Sequence, residues 1–121
     1  MDAAAAIRFA EKHVATWNSH DLDAILQMYA EDAELYSPLA ATLRGDAAVR
    51  GRAALRDYFE QGLRKYPDLH FQLVDTFLCQ SSVTLLFRGA GGRLVCEVLF
   101  LGDAGKVSRV YAHYLCEAPA A

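Results

Sequence analysis

Glu97 is the residue whose surroundings demand an explanation. It lies in Arg93–Leu101, RLVCEVLFL, flanked by Val95 and Leu99 in a stretch with the aliphatic content of a strand. A carboxylate among such neighbours needs a partner or a proton. An apolar surround that favours the proton produces a group able to give and take it near neutral pH. A structural ion pair with Arg88 or Arg93, or a place at a sheet edge, would satisfy Glu97 equally well. His13 is the second candidate, beside a helical stripe of Ala10, Val14 and Trp17. Its imidazole donates or accepts and titrates close to neutrality. The bland alternative is a helix histidine bonded to a backbone group.

Other polar residues weigh less. Asp75 is a carboxylate inside an apolar strand and could act as a base unless a bulge or an edge exposes it. His20 reads as a solvated loop residue, His70 opens a strand, and His113 shares a face with Tyr111 and Arg109. No HxxxH or HExxH spacing links the histidines, so no metal site is expected. Trp17, Tyr29, Tyr58, Phe59 and Tyr114 read first as core aromatics. The hydroxyls of Tyr29, Tyr58 and Tyr114 need partners if buried, and in an apolar cavity such groups orient a ligand.

The elements that must position these residues follow from periodicity. Asp2 to Asn18 predicts a helix with Asp2 as its cap and Ile7, Ala10, Val14 and Trp17 on one face. Asn18-Ser19-His20 breaks it, and Asp21 caps a short helix, Leu22 to Tyr29. Ala33 to Ser37 alternates as a strand and stops at Pro38, which cannot donate to a ladder. Residues 39–51 read as a loop, with room for one helical turn, that could act as a lid. Arg52 to Lys65 is a third helix, with Leu55, Tyr58, Phe59 and Leu63 on one side. Four strands follow, Leu69–Cys79, Ser82–Arg88, Arg93–Leu101 and Lys106–Cys116, joined by hairpin turns at Gln80-Ser81, Gly89–Gly92 and Gly102–Gly105. Helices first and an antiparallel meander after them define an α+β domain.

A turn centred on Asp103-Ala104 sets Glu97 opposite Val110. Glu97 then shares one face with Val95, Leu99, Val110, Ala112 and Tyr114. The other face carries Leu94, Cys96, Val98 and Phe100 with Arg109, Tyr111 and His113. Both are too apolar for water. One packs under the helices and the other predicts a homodimer formed through the sheet.

The 121 residues suffice for one domain spanning 1–121. A net charge of −3 without a basic run argues against nucleic acid as a partner. No apolar run is long enough to span a bilayer. The N-terminal MDAAAAIRFAEKH carries an acid and no positive segment, so it reads as a helix start and not an export signal. Cys79, Cys96 and Cys116 form no CxxC pair and are expected as reduced core thiols in a cytoplasm.

The order and spacing of four stretches resemble the NTF2-like superfamily, in its SnoaL-like and ketosteroid-isomerase-like branch. HVATWNSHDLDAILQMYAEDAELYSP resembles its helix–corner–helix–strand opening, and VRGRAALRDYFEQGL its Gly-initiated third helix. PDLHFQLVDTF is similar to its first long strand, and EVLFLGDAGKVSRVYAHY to its closing hairpin. The resemblance implies a cone, with a curved antiparallel sheet wrapped around three N-terminal helices and an apolar cavity inside. It also implies that His13 stands where ketosteroid isomerases keep a tyrosine donor, and Glu97 where they keep a protonated aspartate. Ser37 stands where they keep the general base. SnoaL-type cyclases resemble the chain equally.

The expectation is a cofactor-independent isomerase, cyclase or dehydratase-type lyase acting on a small apolar or polycyclic ligand. Glu97 and His13 are its acid–base pair and Ser37 an orienting hydroxyl. Trp17, Tyr29, Tyr58, Phe59, Val110, Ala112 and Tyr114 line the cavity. A carrier that keeps the cavity, or a dimeric adaptor for other proteins, is the alternative.

Overall fold

Asp2 accepts a hydrogen bond from Ala5 N at 2.8 Å and starts the first helix, α1 (Ala3–Asn18), in the computed structural model, which describes residues 1–117. The buried stripe of α1 is Ala6, Ala10, His13, Val14 and Trp17. Ile7, expected on that stripe, is exposed, because the inward arc lies one position to its N-terminal side. His13 is thus a core-facing residue of α1.

The corner after α1 is pinned. Asn18 Nδ2 donates to Phe71 O at 2.9 Å while Phe71 N donates to Asn18 Oδ1 at 2.7 Å. His20 Nε2 lies 2.6 Å from Leu69 O. The residues that break the helical pattern therefore tie the corner to the lead into the meander, and His20 is half-buried instead of solvated. Asp21 caps α2 (Leu22–Gln27) by accepting from Ala24 N at 3.2 Å. This helix ends before Tyr29, which opens β1 (Tyr29–Tyr36). Propensity alone could not set that boundary: Tyr29 pairs with Val107, and a strand partner outweighs one more turn of helix.

Residues 38–50 are more ordered than expected. Ser37 and Pro38 form an N-cap and first-turn proline for α3 (Pro38–Arg44), which Gly45 ends at φ 77°. β2 (Ala48–Arg50) follows and pairs antiparallel with β1. Then come α4 (Arg52–Lys65), β3 (Gln72–Leu78), β4 (Ser82–Arg88), β5 (Leu94–Leu101) and β6 (Val107–Tyr114). The described residues therefore hold four helices, one more than the periodicity shows.

The six strands form one curved, unclosed sheet in the order β2-β1-β6-β5-β4-β3. All pairs are antiparallel except β1–β6, which is parallel; the chain between them runs through α3, β2, α4 and the β3–β5 meander. The helices cover the inner face, where Leu85, Leu99 and Val110 are fully buried beside Leu55 of α4 and Ile25 of α2. Each such side chain contributes about 1.5–3 kcal/mol of burial.

Glu97 pairs with Ala112, and Val110 with Leu99, two residues away from the expected register. A three-residue turn at Asp103–Gly105 and a register shift at Phe100/Leu101 cause the slip. A slip of two preserves parity, so every residue stays on its expected face. The thiols are not core: Cys79 and Cys116 are exposed, and Cys96, next to Glu97, points to the opposite face and is half-buried.

Candidate functional site

A cavity of about 70 Å³ lies between the helices and the inner face of the sheet. It has room for several waters' worth of ligand atoms and is no packing defect. Glu97 of β5 projects into it from the sheet, with Ala112 and Tyr114 of β6 alongside. α1 contributes Trp17, β1 contributes Tyr29, and α4 contributes Tyr58 and Phe59. Ser37 sits at the junction of β1 and α3.

Nearly half of this wall is aromatic. Trp17 and Phe59 meet edge to face with centroids 4.7 Å apart, and Phe71, 5.5 Å from Trp17, continues the wall to Phe87 at 4.7 Å. The polar groups are few. Trp17 Nε1 donates to the Tyr29 hydroxyl at 3.3 Å. The Tyr58 hydroxyl donates to Ser37 Oγ at 3.5 Å. Arg93 stands over the Tyr114 ring, 4.5 Å from its centroid, so it serves that ring and makes no ion pair with Glu97.

Burial sets the protonation of the site. Desolvation raises the Glu97 carboxyl to about 7. It raises Tyr58 and Tyr114 as well, with the Ser37 hydroxyl acting against the rise in both. Tyr29 is held well above its ordinary value by burial and by the nearby Glu97 charge. Three phenols thus stay protonated as donors, while one carboxyl changes state close to neutral pH. Glu97 is the sole carboxyl of the cavity wall among the described residues.

His13 is placed differently from expectation. Its Nε2 lies 3.9 Å from Glu97 Oε1, yet its ring is not part of this cavity's wall. It stands behind Glu97, near the rings of Phe9 and Tyr29, and borders a separate groove lined by α1, α2 and the β5–β6 turn. Neither ring nitrogen has a hydrogen-bond partner, and burial lowers the imidazole to about 4. Val110 also lies outside the wall, because Leu99 and the helices bury it completely.

Asp75 is exposed on the edge strand β3 at a register shift, and His70 and His113 are exposed too. None of them approaches the cavity. Periodicity did not single out Leu35, Tyr66, Phe71, Phe87 and Val95 as wall residues. Val95 was within reach, since it shares the parity of Glu97. Tyr66 and Phe71 were not, since only the pinned corner brings them in. Among the described residues, no three His, Cys, Asp or Glu side chains converge as metal ligands would.

A curved, unclosed sheet folded over helices, with a lone carboxyl in the cavity between them, defines an α+β fold of the NTF2-like and cystatin-like kind. A sequence profile of the SnoaL-like domain matches residues 10–115, and the chain belongs to that family. Its fold is similar to a SnoaL-like protein of unknown function from Burkholderia thailandensis, with 38% identity, a TM-score of 0.90, and 95% of this chain and 98% of that one covered. SalBIII, described as an epoxide hydrolase/cyclase-like enzyme in pyran ring formation in the polyether salinomycin, matches with 21% identity and a TM-score of 0.73 over 93% and 92% of the chains. A protein with a cystatin-like fold from Methylobium petroleophilum matches with 14% identity and a TM-score of 0.77, over 98% and 81%. The last two share the fold. A search of curated proteins gives no significant match.

Proposed function

We propose that this protein is a cofactor-independent acid–base enzyme, an isomerase or cyclase, acting on a small apolar carbonyl compound. The observation that carries the reading is Glu97: a carboxyl raised to about 7, alone among aromatic walls and near phenol donors. Both of its protonation states are populated at neutral pH, which suits a group that takes a proton and returns it. The ionised carboxyl removes a proton from carbon beside the ligand's carbonyl. Tyr114 donates to the oxygen on which negative charge develops, and Tyr58 joins it by turning its one hydroxyl proton from Ser37 Oγ to that oxygen. Return of the proton at another carbon isomerises the ligand. Attack by the carbanion on an electrophilic carbon of the same ligand closes a ring. Ser37 orients the Tyr58 hydroxyl. Ring formation also finds support in the description of SalBIII, through fold alone.

A carrier would use the same cavity without the chemistry. The two readings separate in one experiment. Steroids, aromatic polyketides and terpenoid ketones are screened by thermal shift, and the binders are then incubated in heavy water with wild type and Glu97→Gln. Binding to both proteins, with deuterium entering the ligand only in wild type, is the expected result. Binding without exchange in wild type makes the protein a carrier.

The outer sheet face supports the homodimer reading. Phe77 and Phe100 are exposed there, and Phe100 meets Tyr111 at 6.0 Å. A second copy laid on this face would remove the apolar surface from water. Three unpaired thiols fit a reducing cytoplasm. No helix among the described residues is long and apolar enough to cross a membrane.

A further inference from the structure

Two openings lie near the Glu97–His13 pair, Glu97 lining one and His13 the other. The aromatic cavity is one. The other is a groove bordered by Phe9, Lys12 and Thr16 of α1, by Ala24 near the start of α2, and by Lys106 at the β5–β6 turn. His13 stands between them. It is 3% exposed, belongs to the wall of the groove, and has two ring nitrogens with no partner. A buried imidazole with both nitrogens unpaired is costly, and a packing role alone would be met better by leucine or phenylalanine. Its Nε2 is 3.9 Å from Glu97 Oε1. That separation is too long for a hydrogen bond and short enough for a small rotation of either side chain to make one.

We infer that His13 is a positioning residue that carries the proton of Glu97 to and from the groove between α1, α2 and the β5–β6 turn. The inference rests on Glu97 being the proton-handling group of the cavity. A ligand filling the aromatic cavity covers the carboxyl on that side, so solvent in the groove becomes its source and sink of protons. In the outward direction the Glu97 O–H bond breaks and an N–H bond forms at His13 Nε2. The imidazolium then gives one proton to water in the groove, leaving Glu97 ionised and His13 neutral. The inward direction is the reverse.

The groups facing the pair limit what else could hold that proton. Tyr29 from β1, Tyr58 from α4 and Tyr114 from β6 surround Glu97, and burial keeps all three phenols protonated. Lys12 and Lys106 border the groove. Lys106 Nζ donates to Gln27 O, which fixes it at the rim. Burial disfavours a lasting charge on His13 and so promotes release of the proton to solvent. This arrangement suits a reaction in which the proton taken from the ligand exchanges with solvent between turnovers.

The test needs no ligand. Protein with isotope-labelled glutamate and histidine is titrated by NMR from acid to mildly alkaline pH, as wild type, His13→Gln, Glu97→Gln and Ala24→Phe. In wild type the Glu97 carboxyl carbon and the His13 ring nitrogens should move in the same step near neutrality. Glu97→Gln should remove that step from His13. His13→Gln should shift the Glu97 midpoint by about half a unit or more, the signature of coupled sites. Ala24→Phe, which fills the groove without touching Glu97, should leave the midpoint in place and slow exchange of the His13 ring proton with water several-fold. Ring nitrogens flat through the Glu97 step, a midpoint unmoved in His13→Gln, or unchanged exchange in Ala24→Phe each overturn the relay. A Glu97 midpoint in the ordinary carboxylate range overturns instead the acid–base reading of the cavity, so the two failures are distinct.

Discussion

Ser37 Oγ accepts from two directions: Leu39 N at 3.1 Å, which caps α3, and the Tyr58 hydroxyl at 3.5 Å, which reaches it from α4. One buried hydroxyl thus joins the end of β1, the start of α3 and the cavity wall. Ser37→Ala should lower stability by about 1–2 kcal/mol through loss of the cap. It should also leave the Tyr58 hydroxyl free to turn. Urea denaturation measures the first effect. A destabilisation below the range for a lost cap would show that Ser37 holds neither group.

The paired titrations of Glu97 and His13 give opposite pH dependence. Glu97 rises from 4.5 to about 7 on folding, so its contribution is full below pH 4.5 and is lost as pH climbs through 7. His13 falls from 6.5 to about 4, so its contribution is full above pH 6.5 and is lost as pH falls through 4. The two slopes oppose each other where the windows overlap. Relative to wild type, Glu97→Gln should therefore gain stability as pH rises toward 7, and His13→Gln should gain it as pH falls toward 4. Each pKa unit corresponds to about 1.4 kcal/mol, which chemical denaturation at several pH values resolves. Parallel stability curves for all three proteins would contradict the assigned burial.

Tyr58→Phe and Tyr114→Phe remove the donors assigned to the ligand oxygen. Each should reduce deuterium exchange of a bound ketone about 100-fold while changing its binding little. Loss of binding with exchange per bound ligand unchanged would move the hydroxyls from catalysis to simple recognition.

The thiols make a direct check on the fold. Cys79 and Cys116 are exposed, and Cys96 is half-buried on the outer face of β5. A disulfide reagent should label two thiols at once in native protein and the third slowly. Three slow thiols would mean a covered outer face and a different tail.

Phe100→Glu places a charge on the outer face. Sedimentation should show wild-type dimers and a monomeric variant with unchanged thermal stability of the fold. A wild-type monomer at micromolar concentration would remove the proposed interface.

Much of this molecule was legible in one dimension. The parity of Glu97 with Val95, Leu99, Ala112 and Tyr114 was readable from alternation, and it survived a wrong turn register because the error was two residues. The helix at Arg52–Lys65 and its inward Tyr58 and Phe59 followed from spacing. Alternation and spacing are local, and the chain's own geometry enforces them.

What lay beyond the sequence depends on contacts between distant residues. Tyr29 became strand because Val107 pairs with it. His20 lost its solvent because Leu69 O is its neighbour. His13 left the cavity wall because a residue's face on a helix fixes its direction and not what stands between it and a ligand; here that is Glu97. The sequence by itself carried the family resemblance and the common face of Glu97, Val95, Leu99, Ala112 and Tyr114. Only the tertiary structure decided which groups face that carboxyl and from which side, because burial and separation are properties of packed elements and not of their order along the chain.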